Sequence, residues 1–141
     1  LTEQTKPVIN YTDQDGNITI KPISIETIAA LTASQVEGVS YLIDNLFNEV
    51  SEFFTRGGRQ TNDSMGVQLS GSDDNLTLDI HIAMKYGYSV PQVALLIQRR
   101  VKEQVLFSCN VAIKRVNVHV KRIVSDPMMD QPYFELEEET I

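Results

Sequence analysis

The spacing of apolar residues changes period several times along this chain, and each change marks an element. From Asn17 to Lys21 apolar and polar residues alternate, with Ile18 and Ile20 on one side. This predicts a short strand that Pro22 ends. Ser24 then suits a helix N-cap, with Glu26 in the first turn facing the helix dipole. Ile25, Ile28, Ala29, Thr32 and Val36 follow at helical spacing, and Gly38 stops the helix near Glu37. Leu42, Ile43, Leu46, Phe47, Val50, Phe53 and Phe54 extend a helical pattern over residues 39–54 and predict a second amphipathic helix. Residues 55–64, with Gly57-Gly58 between Arg56 and Arg59, read as a mobile loop.

Alternation then returns. Met65 to Ser70 and Leu76 to Lys85 read as a hairpin turning through Gly71-Ser72-Asp73-Asp74-Asn75. In its second strand Leu78, Ile80, Ile82 and Met84 face one way and Asp79, His81, Ala83 and Lys85 the other, so one face should be buried and one wet. The main helix comes next. Ser89 caps it, Gln92 completes a capping box, and Pro91 sits in the first turn. Val90, Val93, Ala94, Ile97, Val101 and Val105 form its core stripe, and Asn110 closes it. Val116, Val118 and Val120 alternate with Asn117, His119 and Lys121 in a last long strand. Strand, helix and strand with short joins imply a parallel pair bridged by a crossover helix.

The expected fold is therefore α+β in two layers. A mixed sheet of about four strands has its helices on one face and contains a β-α-β crossover. Residues 1–16 read as a flexible arm closed by the turn Asp13-Gln14-Asp15-Gly16, residues 17–124 as the domain, and residues 125–141 as an acidic tail. The chain starts at Leu1 rather than Met, which leaves room for an upstream segment.

Composition narrows the class rather than the function. An apolar fraction of 42% and a charged fraction of 22% are those of an ordinary globular chain. No apolar run approaches the roughly 20 residues of a membrane-spanning helix. The single cysteine, Cys109, rules out an intrachain disulfide and fits a reducing compartment. Four Asn-X-Ser/Thr triplets, at Asn10, Asn17, Asn62 and Asn75, read as coincidences of Thr-rich strand borders. The net charge of −7 hides an asymmetry: residues 1–84 carry −8, residues 85–122 carry +7 and residues 123–141 carry −6. A uniformly basic nucleic-acid binder is disfavoured, whereas a local basic surface is compatible with these numbers.

Each candidate chemistry has a plainer alternative. Asp79, His81, Asn117 and His119 could cluster if their strands are neighbours, and such a set could bind zinc or shuttle protons. No ligand-spacing motif supports it, and a satisfied polar face is the default. Cys109 ends a helix, where the dipole disfavours a thiolate, so burial as a small apolar side chain is preferred over nucleophilic use. Arg56-Gly57-Gly58-Arg59 could wrap an anion but lacks the ending of a phosphate loop. Arg99, Arg100, Lys102, Lys114, Arg115, Lys121 and Arg122 form a basic block that could meet phosphates, an acidic partner or anionic lipid. Leu95, Leu96 and Leu106 broaden the apolar surface of the main helix and are candidates for self-association. No metal or catalytic set stands out and no cofactor is expected.

Taken in order, Ile18-Thr19-Ile20, Ile28-Ala29-Ala30, Val36-Glu37-Gly38-Val39, Leu78-Asp79-Ile80-His81-Ile82, Tyr86-Gly87, Val93-Ala94, Ile97-Gln98, Val101-Lys102 and Val116-Asn117-Val118-His119-Val120 carry a family pattern. Over residues 17–124 the chain resembles the bacterial alkaline shock protein family, also called the envelope stress response or Gls family. The resemblance implies a non-enzymatic cytoplasmic protein of Gram-positive bacteria, peripheral at the inner face of the cell membrane. It implies self-association and docking on small membrane-anchored partners in envelope homeostasis and stress, with no catalytic residue to transfer. The alternative is a regulator that binds nucleic acid or a metabolic enzyme through the basic 85–122 block. Two departures stand out. Cys109-Asn110-Val111 replaces a Thr-Gly-Leu-like turn, and residues 39–64 are longer and more hydrophobic than the family pattern.

Overall fold

A computed structural model describes residues 6–44 and 65–125. The elements are β1 (Ile9–Asp13), β2 (Gly16–Ile20), α1 (Pro22–Ser34), β3 (Val39–Leu42), β4 (Val67–Ser70), β5 (Thr77–Lys85), α2 (Val90–Cys109) and β6 (Arg115–Val124). The fold is α+β, as the spacing predicts, with a four-stranded mixed sheet and a separate two-stranded hairpin.

β5 organises the sheet. β6 runs parallel to it along one edge, from the pair Thr77 and Arg115 to the pair Lys85 and Val124. α2 connects the two strands and completes the β-α-β unit. On the other edge β3 and β4 lie antiparallel to β5, one after the other. β3 covers Ile82 to Met84 and β4 covers Thr77 to Ile80. These two short strands are thus successive halves of one edge. Gly66 marks the joint between them: its φ is +93°, and a Cβ there would lie 3.0 Å from the Ile43 carbonyl oxygen.

Both helices pack on the face carrying Leu78, Ile80, Ile82 and Met84. Ile25, Ala29 and Ala33 of α1 and Val93, Ile97, Val101 and Val105 of α2 meet them in one core. Val90, placed in that stripe by its spacing, is exposed instead, because it lies in the first turn before α2 settles on the sheet. Gly38 lets the chain pass beneath α2. Its φ is +105°, and a Cβ would come within 2.8 Å of Val93 Cγ2.

The α2 boundaries match the sequence. Ser89 Oγ accepts from the Gln92 N–H, and Asn110 closes the helix in the left-handed conformation. Asn110 at φ 59° therefore takes the role of the glycine expected in that turn. The α1 start differs. Pro22 takes the first helical position and Lys21 is the N-cap, with no side-chain cap, so Ser24 lies inside the helix. Glu26 is no solvated first-turn acid either. It is 1% exposed, and its Oε2 accepts from the Leu69 N–H at 2.8 Å and from Lys6 Nζ at 2.6 Å. One carboxylate thereby ties α1, the outer edge of β4 and the N-terminal segment together.

Three further expectations change. Within the supposed arm, residues 9–16 are ordered: β1 pairs with β2 from Ile9–Ile20 to Asp13–Gly16. Tyr11 Oη donates to the carbonyls of Cys109 and Asn110 and fastens the hairpin to the end of α2. Residues 39–42 are strand rather than helix, because their main chain pairs with β5. The rest of the 39–54 helix, the 55–64 loop and residues 126–141 lie outside the described residues, Asp44 and those before it excepted. Finally, the second face of β5 is only partly wet: Asp79 and Lys85 at its ends are half-buried, but His81 and Ala83 between them are buried. Ala83 is fully buried, flanked in register by Tyr41 and Arg122, and Arg122 Nη1 donates to Tyr41 Oη at 3.0 Å.

Candidate interaction surfaces

The basic block separates into groups. Lys102 on α2 and Lys114 and Arg115 at the start of β6 line one open concavity of about 260 Å³ with Gln98 and Asn117. Gln98 shapes it by donating its side-chain N–H to the Val116 carbonyl at 2.9 Å. Among the described residues no carboxylate lines this hollow. Lys121 and Arg122 lie six or seven residues along β6, roughly 20 Å away at the rise of a strand. A shift in the β5–β6 register between Ile82 and Ala83 turns Arg122 onto the face shared with Tyr41. Arg100 instead borders a groove between the two helices, together with Glu103. Arg99 is exposed on α2.

The apolar candidates also divide. Leu95 and Leu106 are 56% and 51% exposed, whereas Leu96 packs against the core. Leu95, Arg99, Lys102 and Leu106 follow one another at helical spacing and share a ridge on the outside of α2. Phe107, outside the apolar set that spacing picks out on the main helix, is 84% exposed. With Leu31 and Ile28 of α1, Phe107 lines the groove between the helices, a hollow of about 610 Å³. The signal was present in the sequence: Leu96, Arg100, Glu103 and Phe107 recur at helical spacing just beside the core stripe.

The histidines do meet. Asp79, His81, Asn117 and His119 come together on the sheet face away from the helices. The imidazoles stack with centroids 4.5 Å apart and planes 15° from parallel. His119 Nε2 hydrogen bonds to Asp79 Oδ1 at 2.9 Å, and Asn117 Nδ2 donates to the same oxygen at 3.0 Å. His81 Nε2 hydrogen bonds to Gln68 Oε1 at 3.2 Å. With the amide oxygen as acceptor, the Nε2 proton is donated, so His81 Nδ1 carries a lone pair. That atom is buried with no partner among the described residues. Burial, then the nearby His119 and Lys121, hold the His81 pKa below its ordinary value against the opposing Asp79 and Asp44 carboxylates. Stacked rings aim their nitrogens along parallel planes rather than at one point. In keeping with this, no group of three or more metal-ligating side chains converges among the described residues. Cys109 is free and half-buried, and burial raises its thiol pKa. Arg56-Gly57-Gly58-Arg59 lies outside the described residues. Among the described residues no helix is long and apolar enough to cross a membrane.

The molecule is thus a β-α-β module with a fastened hairpin, its notable side chains gathered on outer surfaces. The family model that matches residues 10–125 is that of the alkaline shock protein 23 family, cell envelope-related function, the alkaline shock family that the sequence resembles, and the chain belongs to it. The resemblance carried by the residues is borne out. Among relatives, the uncharacterized protein YqhY of Bacillus subtilis is 32% identical over 111 residues, 79% of each chain. The uncharacterized protein Spy1535 of Streptococcus pyogenes is 34% identical over 116 residues, 82% of this chain and 84% of its own. The uncharacterized protein YloU of Bacillus subtilis is 27% identical over 113 residues, 79% of this chain and 92% of its own. No solved structure gives a significant match.

Proposed function

We propose that this chain serves its cell envelope-related role by binding alone, as a self-associating adaptor that docks on membrane-anchored partners. The carrying observation is the outer side of the helix pair. Phe107, 84% exposed, stands beside the α1–α2 groove that it helps to line. A projecting ring and a hollow on one face suit a two-fold contact in which each copy offers both. The concavity of Lys102, Lys114 and Arg115 supplies a second, cationic contact for an acidic partner segment near the inner leaflet. This reading is favoured over a regulator gripping nucleic acid because the seven basic residues do not share one surface, and few aromatics accompany them.

Light scattering on size-separated protein tests the self-association. The native chain is expected to elute as an oligomer, and Phe107→Ser with Leu31→Ser as a folded monomer. A native monomer at micromolar concentration would sink the oligomer, and unchanged size in the double variant would sink this interface. Cell fractionation tests the location of the adaptor. A diffuse tagged protein, indifferent to envelope stress, argues against partner docking.

A further inference from the structure

His81 sits where two strands of one sheet edge abut. Its main-chain N–H donates to the Gly66 carbonyl at 2.9 Å, and its carbonyl accepts from the Ile43 N–H at 2.8 Å. One residue of β5 therefore clamps the end of β3 and the start of β4 at their joint. Its side chain is the buried imidazole of the stacked pair, 8% exposed, with a bare Nδ1.

We propose that His81 is an acid-operated latch on this sheet edge: a proton taken up by the buried ring drives it out of its stack and parts the β3–β4 joint. The chemistry follows from the surroundings. A proton on Nδ1 finds no acceptor among the described residues. Desolvation and unpaired charge are then relieved by moving the ring to water. The charged groups facing the ring are mixed. β6 presents His119 and Lys121, with Arg122 two pairs further along the register, while β5 presents Asp79, with Lys85 four residues on along the same face. Beyond β3 comes Asp44, with Tyr41 within the strand, and β4 offers the neutral Gln68. Asp79 is already engaged by His119 and Asn117, which limits what it can give a second cation. Because both main-chain bonds of His81 run to the β3–β4 edge, the β5–β6 ladder and the helix core stay intact when the ring leaves. The sheet edge is then paired at neutral pH and open in acid, so a partner that adds a strand there would meet it under acid alone.

The test is residue-resolved amide exchange by NMR on the full chain between about pH 7.5 and 5.5, corrected for intrinsic rates, with the His81 ring titration followed in parallel. Protection at Ile43 and His81 is expected to fall, by up to about tenfold per pH unit, as the pH drops from the ordinary histidine value of 6.5 to the ring midpoint and to level off below that midpoint, while Val101 in α2 keeps its protection. In His81→Phe, which can stack but cannot titrate, both amides are expected to stay flat. The latch is overturned if the two amides are insensitive to pH, if they open in step with Val101, or if they still open in the variant. Should His81→Phe not fold, the native chain decides: amide protection that levels off at a pH other than the ring midpoint also overturns it.

Discussion

β5 has two faces, and they are buried by different means. On one, Leu78, Ile80, Ile82 and Met84 are covered by two helices and held by apolar area. On the other, His81 and Ala83 are buried although both helices lie on the opposite side of the sheet. Their cover comes from the neighbours in the sheet: Gln68 and His119 beside His81, Tyr41 and Arg122 beside Ala83. The first face tolerates any well-packed apolar set. The second depends on partners matched atom by atom, since an unpaired polar group in such a place is costly. Alternation along a strand therefore tells which face meets the helices. It does not tell whether the other face is wet, because a central strand is sheltered from both sides.

The largest way to break this comparison is on the helix face. Ile80→Ala removes a fully buried side chain from the centre of the core. It should cost about 2–5 kcal/mol, read as a lower midpoint in chemical denaturation. A loss below about 1 kcal/mol would mean that the core collapses around the gap and that the two faces differ less than their packing suggests. Next comes Glu26, a polar group buried on the helix side. Glu26→Ala strands the Leu69 N–H and frees Lys6. A penalty of roughly 1–3 kcal/mol is expected, with Glu26→Gln keeping part of the bond to Leu69. If alanine and glutamine behave alike, the contact does not depend on the acceptor and the matched-partner argument fails there.

What was legible in the sequence follows the same division. The β-α-β unit could be read because β5, α2 and β6 carry strong periods and α2 has both caps in place, Ser89 and Asn110. The start of α1 misled because Pro22 and Ser24 are both acceptable openings, and Pro22, with its preset φ, takes the role. β1 escaped because Ile9–Asp13 is mostly polar; pairing with β2 and the Tyr11 hydroxyl hold it, and neither shows in its own pattern. Residues 39–42 looked helical since their apolar spacing runs on into later residues, while the pairing that makes them strand is with β5, some forty residues on. The candidate surfaces were legible as residue types but not as places. Lys114-Arg115 and Lys121-Arg122 look like one block in a line of text, yet an extended strand sets them far apart. The meeting of His81 and His119 is legible only on condition that β5 and β6 are neighbours, whereas their stacking and the burial of His81 leave no mark in the sequence pattern.

The smallest and sharpest test uses acid, which acts on the second face and spares the first. The His81 pKa is lowered in the folded protein, with burial as the leading cause. Above its ordinary value, near 6.5, the ring is neutral in both folded and unfolded chains and costs nothing. As pH falls below that value, the unfolded chain takes up a proton that the folded chain refuses, so stability declines with falling pH. The decline ends once the folded ring also titrates. Denaturation midpoints measured across this window should therefore drop on acidification in the native chain and drop less in His81→Phe, by a margin smaller than either core substitution. Other groups titrate in the same range, so the difference between the two curves carries the argument. Parallel curves would show that the buried imidazole is indifferent to its charge, and the second face would then be held by area after all. A difference confined to the window below pH 6.5 would show that one strand carries an apolar lock on one side and a proton-sensitive one on the other.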